Sequence, residues 1–206
     1  LTRNEFVPKP SASRRKSGGN RCGCVIMTSK PTVACIVQAR LTSIRLPGKV
    51  MLPLPTGRSV VKEVMHRCLQ IRGVDKFVLA IPDTPANDPL AQHAFDQPMF
   101  ELIREPVGDS ERITYREFEL YRGPEDNVLQ RYIDAADMVK ADVVMRITAD
   151  CPCLDPEVCD TILNTHFLAD QSIDYASNIE PQRTFPHGYD CEVFWIDMLY
   201  RSLSQD

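Results

Sequence analysis

The chain has 206 residues, 43% hydrophobic and 25% charged, with a formal net charge of −4. That suffices for one sizeable core, and no apolar run approaches the roughly 20 residues of a bilayer-spanning helix, so no membrane insertion is expected. Residues 1–30 hold seven Lys/Arg and a single acid, Glu5, leaving 17 bases against 27 acids in the rest, and so acidic a body argues against general nucleic-acid affinity.

The basic head, with Pro8, Pro10, Ser11, Ser13 and Gly18-Gly19, lacks periodicity and reads as a disordered segment over residues 1–30. Its Arg and Ser content would suit a transit peptide, but no amphipathic pattern accompanies it. The other reading makes Met27 the true start and residues 1–26 upstream sequence. From 31 to 206 a single domain is expected. Thr32 to Ala39 is short, apolar and β-branched, as a buried strand requires, and Pro47-Gly48 forces an irregular loop after it. Arg40, Arg45 and Lys49 hang on that loop. In open parallel sheets ligands collect beyond the carboxyl ends of strands, and two planar Arg forks with a Lys point charge suit a triphosphate.

Ser59 is placed to cap a helix to about Arg72, and Lys76 to Ile81 is the next strand. Asp88-Pro89 starts a second helix, with Asp as cap and Pro in the first turn. Residues 96–118 show no clear period. Pro124 opens a helix reaching Val139, and Val143 to Ile147 is an apolar strand interrupted only by Arg146, suited to burial on both faces. Asp155-Pro156 starts a helix to about Ala169, two strand candidates follow at Asp174 to Asn178 and Cys191 to Ile196, and Asp197 caps a final amphipathic segment. Strands alternating with helices predict an α/β fold with a mostly parallel sheet flanked by helices. The chain stops inside the last helix, as a truncated product would.

The eight cysteines would suggest a disulfide scaffold in a secreted chain, but no signal peptide is visible, and reduced thiols in the cytoplasm are the expectation. Cys151, Cys153, Cys159 and His166 invite a zinc reading. The C-x-C opening lacks the usual wider spacing, and small buried hydrophobes are the plainer account.

Five motifs lie in order along the chain: Gln38-Ala39-Arg40 with Arg45-Leu46-Pro47-Gly48-Lys49; Pro82-Asp83-Thr84-Pro85-Ala86-Asn87-Asp88; Arg122-Gly123-Pro124-Glu125-Asp126-Asn127-Val128-Leu129; Thr148-Ala149-Asp150-Cys151-Pro152; and His187-Gly188-Tyr189-Asp190-Cys191-Glu192-Val193-Phe194. From about Val33 onward the chain thereby resembles the sugar cytidylyltransferases, especially the branch named for spore coat polysaccharide biosynthesis and related to the acylneuraminate and 3-deoxy-manno-octulosonate enzymes. The resemblance implies a nucleotide-diphospho-sugar transferase domain of the GT-A, Rossmann-like type, with CTP and a sugar as substrates, Mg2+ as cofactor, and room for a homodimer. Measured against that family, Gln97 to Arg116 looks like an insertion or a rearranged hairpin.

Phosphoryl transfer requires positioning and charge neutralisation more than covalent help. By resemblance Gln38, Ala39, Arg40, Ser43, Arg45 and Lys49 hold the nucleotide, with Lys49 and Asp150 catalytic. Asp83 and Asn87 follow the second strand and are candidates for the base or ribose, since an amide can match the cytosine edge; a turn-forming Asn is the alternative. Asp150 is the first metal ligand by family position and Asp190 the second. Asp190 and Glu192 are read as alternate residues of one strand, with a salt bridge at a strand edge as the competing account. Arg122 and Asp126 are candidates for the sugar pocket, with Arg131 beside them, and Arg183 and His187 for an acidic sugar's carboxylate. The resulting expectation is a magnesium-dependent transfer of CMP from CTP to an acidic sugar, for surface polysaccharide synthesis. A glycosyltransferase on the same fold and a non-catalytic nucleotide-binding subunit are the rivals.

Overall fold

In the computed structural model, which describes residues 30–107, 110–169 and 173–204, the apolar run after Pro31 forms strand β1 (Val33–Gln38), with five of its six residues buried. The basic head lies outside the described residues. After β1 come α1 (Val60–Cys68), β2 (Lys76–Pro82), α2 (Asp88–Phe95), β3 (Phe100–Val107), β4 (Ser110–Gly123), α3 (Val128–Met138), β5 (Val143–Thr148), α4 (Pro156–Leu168), β6 (Tyr175–Ser177), β7 (Glu192–Trp195) and α5 (Ile196–Leu203).

The strands make one sheet in the order β3-β4-β2-β1-β5-β7-β6. Its centre, β4-β2-β1-β5, is parallel, with Val37 of β1 beside Leu79 of β2 and Ile147 of β5. Both edges are antiparallel. The two-residue period of β1 sorts its side chains: Val33, Cys35 and Val37 pack with Met65 and Cys68 of α1 and Leu163 of α4, while Ala34 and Ile36 pack with Tyr132 and Ala136 of α3 and Leu199 of α5. Full burial of each such aliphatic side chain contributes about 1.5 to 3 kcal/mol. The α/β class with a helix layer on each face is therefore as expected, and every central strand points its carboxyl end to the same edge.

Several boundaries differ from the sequence reading for identifiable reasons. Helix α1 stops at Cys68 rather than Arg72, because Arg116 of β4 draws the carbonyls of Leu69, Ile71 and Arg72 out of helical register at 2.9, 2.6 and 3.0 Å. Helix α3 begins at Val128, four residues after Pro124. The buried Arg131 guanidinium binds the carbonyls of Pro124 and Glu125, and the Asn127 side chain caps the helix by accepting the Gln130 amide at 2.9 Å. Asp88 and Asp197 lie in first turns, with Asn87 and Trp195 at the cap positions. Asp155 does cap α4, accepting the Glu157 amide at 2.8 Å. The unreadable stretch forms the hairpin β3-β4, whose second strand continues into the parallel sheet beside β2.

Candidate active site

At the carboxyl edge, the backbone of Gln38 and Ala39 is tied to both neighbouring strands: Ala39 N donates to Ala80 O at 3.2 Å and Ala149 N to Gln38 O at 2.9 Å. The loop that follows is closed at its base by Gly48 N donating to Leu41 O at 3.0 Å, with Gly48 at φ 70°. A β-carbon is strained in that left-handed conformation, which is why glycine precedes the lysine. Two braces hold the loop from outside. Leu41 N donates to Asn87 Oδ1 at 2.9 Å, and Thr42 Oγ1 to Glu125 Oε1 at 2.8 Å. Arg40 and Arg45 stay exposed on either side of the braced residues, with Ser43 half-buried.

Lys49, at the loop's end, reaches across to the end of the adjacent strand β5 and ion-pairs with Asp150. Burial acts to raise the Asp150 pKa, and the Lys49 ammonium overrides it, so the carboxyl titrates below its ordinary value and is ionised at neutral pH. Asp150 lines a cleft of ≈ 600 Å³ with Arg45, Thr148, Cys151, Cys153, His187 and Asp190. Asp190 is gripped in turn by Arg183, through Nη1 to Oδ1 and through Nη2 to Oδ2 at 3.4 Å.

The structure therefore gathers Arg45, Asp150, Asp190 and His187 around one cleft, with Lys49 and Arg183 entering as partners of the two carboxylates. Asp190 precedes β7 rather than lying in it, and Glu192, the first residue of that strand, pairs with Arg146 instead of facing the cleft. Asn87 departs most from expectation. It is fully buried, with Oδ1 on the loop and Nδ2 donating to Thr84 Oγ1 at 2.9 Å, so it braces the cradle instead of offering an edge to a base. Arg122 likewise clamps the strand β2 turn, binding Asp83 at 3.0 Å, Asp88 at 2.6 Å and Thr84 O at 3.2 Å. Asp126 is exposed in the turn before α3.

Residues to which the sequence assigned no role include Glu125, which holds Thr42, and Arg146, which pairs with Glu192 and whose guanidinium lies 6.0 Å from the Tyr132 ring centroid. A lone charge in an otherwise apolar strand was the available signal for Arg146. The four residues of the zinc reading separate: Cys151 and Cys153 line the cleft, whereas Cys159 and His166 are buried in the core. For a hard divalent cation the donor set fits. Mg2+ takes one or two protein carboxylates and completes its shell with water and phosphate, and Asp150 and Asp190 supply two carboxylates to one solvent-open cleft.

Residues 34–97 match the cytidylyltransferase family. The chain is similar to the spore coat polysaccharide biosynthesis protein SpsF of Bacillus subtilis, at 34% identity over 144 residues, 68% of this chain and 51% of that protein. It is 25% identical over 167 residues to an uncharacterized protein of Methanocaldococcus jannaschii, covering 81% of this chain and 58% of that one. The chain thus spans somewhat over half the length of these curated relatives. Among solved structures, a cytidylyltransferase from Leptospira borgpetersenii superposes with a TM-score of 0.70 at 27% identity, over 85% of this chain and 65% of that one. A CMP:2-keto-3-deoxy-manno-octonic acid synthetase complexed with CTP shares the fold, with a TM-score of 0.57 at 19% identity, over 84% of this chain and 78% of that one. Five collinear motifs, a matched family segment and a shared fold lead to one conclusion: the chain belongs to the cytidylyltransferase family.

Proposed function

We propose that this protein transfers CMP from CTP to a sugar hydroxyl and releases pyrophosphate, using a divalent cation, Mg2+, held by Asp150 and Asp190. The observation that carries this reading is the meeting of a cationic loop and two carboxylates in one cleft at the carboxyl edge of a parallel sheet. Arg40, Ser43, Arg45 and Lys49 bind the triphosphate, and the Asn87 and Glu125 braces keep the loop in a fixed curve before substrate arrives. The acceptor hydroxyl attacks the α-phosphorus in line while the loop cations offset charge growing on the leaving pyrophosphate. What Mg2+ supplies when bound is neutralisation of phosphate charge and acidification of the attacking hydroxyl. Arg183 and His187 stand beside Asp190, where an acidic sugar's carboxylate would find them. The likeness to SpsF supports a role in surface polysaccharide synthesis.

A panel of nucleotides with Mg2+ tests the assignment. CTP should raise the melting temperature most, by mass action on the folded state, and pyrophosphate should appear when CTP and an acidic sugar are both present. A larger shift with UTP or ATP would remove the cytidylyl assignment. Release of a nucleoside diphosphate from a nucleotide sugar would make the protein a glycosyltransferase instead.

A further inference from the structure

Each carboxylate assigned to the metal is already occupied by a cation of the chain itself. Lys49 is on Asp150 and Arg183 is on Asp190, and all four side chains are partly open to solvent, between 26% and 35% exposed. Both cations come from outside the sheet and the α-helices: Lys49 opens a single 3-10 turn directly after the left-handed Gly48, and Arg183 lies between β6 and β7. Arg146 and Glu192 make a useful contrast. That pair joins two hydrogen-bonded strands, with Glu192 only 17% exposed, so its partners are fixed by the sheet. The two cleft pairs have no such constraint. Their charges nearly cancel, and with Arg45 included the cleft carries one more cation than anion, a field that opposes a metal dication arriving alone. A triphosphate reverses the sign of that field.

We propose that Lys49 and Arg183 are internal counter-cations that compete with the metal for Asp150 and Asp190. When the divalent cation binds, each is displaced to an anionic group of a substrate, Lys49 to the triphosphate and Arg183 to the acceptor. The inference rests on the metal and nucleotide assignment made above. Metal and CTP therefore bind with positive coupling, each clearing ground for the other. Lysine suits such exchange, being a compact charge on a flexible stem, whereas the two-pronged grip of Arg183 holds Asp190 more firmly.

The test is Mn2+ binding to the full chain without nucleotide, followed by the electron paramagnetic resonance signal of free Mn2+. Lys49→Met and Arg183→Met should each tighten Mn2+ by at least about fivefold, the factor equivalent to about 1 kcal/mol of exposed ion pair, and the double variant should bind tighter than either. Asp150→Asn should weaken it. If Asp150→Asn weakens Mn2+ binding while neither cation variant tightens it, the ion pairs do not compete and the inference falls, with the metal assignment intact. If Asp150→Asn and Asp190→Asn both bind Mn2+ like the wild type, the metal assignment itself falls and takes the inference with it. Melting curves of the variants establish that each is folded before its affinity is compared.

Discussion

Lys49 and Arg45 lie four residues apart on one loop and yet have different surroundings, one paired with Asp150 and the other exposed at the cleft wall. Charge-assisted hydrogen bonds are worth roughly 1.5 to 3 kcal/mol, so Lys49→Ala and Arg45→Ala should each weaken CTP binding in the presence of Mg2+ by about tenfold to a hundredfold. Isothermal titration reads this directly, and normal CTP affinity in both variants would reduce the loop to a solvated connection. Melting temperature should barely move, since neither side chain is in the core. At this scale the sequence conveyed which residue types gather but not how they pair. Arg122 and Asn87 were legible as polar residues in suggestive motifs, and Arg183 as a cation four residues ahead of one. That Arg122 clamps Asp83 and Asp88, or that Asn87 is buried behind the loop, depends on contacts between segments far apart in the chain.

Among the elements, the parallel strands were legible because burial on both faces leaves an unbroken apolar run, as in β1 and β5. Strand β4 was not, because the adjacent Arg116 and Glu117 interrupt its two-residue alternation, which then holds only over Glu117, Phe118, Glu119 and Leu120. The same strand decides where α1 ends. Arg116 is 7% exposed, donates to three carbonyls just beyond α1 and lies 5.8 Å from the centroid of the Phe77 ring. A cation at a helix carboxyl end meets both the unsatisfied carbonyls and the negative end of the helix dipole. Replacing it by methionine keeps the stem and strands the carbonyls, so Arg116→Met should destabilise the fold by about 2 to 4 kcal/mol. Urea unfolding measures it, and a change under about 0.5 kcal/mol, the scale of ordinary surface substitutions, would show the clamp to be incidental.

For the molecule as a whole, the layered α/β plan followed from strands alternating with helices, while the antiparallel edges and the packing of α4 on β7 depended on long-range pairing that leaves no local period. That packing gives stability a pH dependence. His166 of α4 is fully buried, with ring centroids 5.9 Å from Phe167 and 5.3 Å from Trp195, and among the described residues neither ring nitrogen has a hydrogen-bond partner. Burial pushes its pKa below the ordinary value near 6.5, against a weaker opposing pull from Asp174. In the unfolded chain the imidazole takes up its proton as pH falls through 6.5, while in the folded protein it resists until lower pH. The unfolded state then binds more protons, so the stabilisation is fully present above that pH and is lost below it, by up to about 1.4 kcal/mol for each pH unit. His166→Leu, of similar volume and without a titrating group, should remove this slope. His93 is also lowered, by burial and by Lys62, but stands apart near Ser59 and Asp96, so its contribution is common to both proteins and cancels in the comparison. Between pH 7.5 and 5.5 the wild-type melting temperature should therefore fall more steeply than that of His166→Leu, and parallel curves would mean that the buried imidazole is protonated as readily in the fold as outside it.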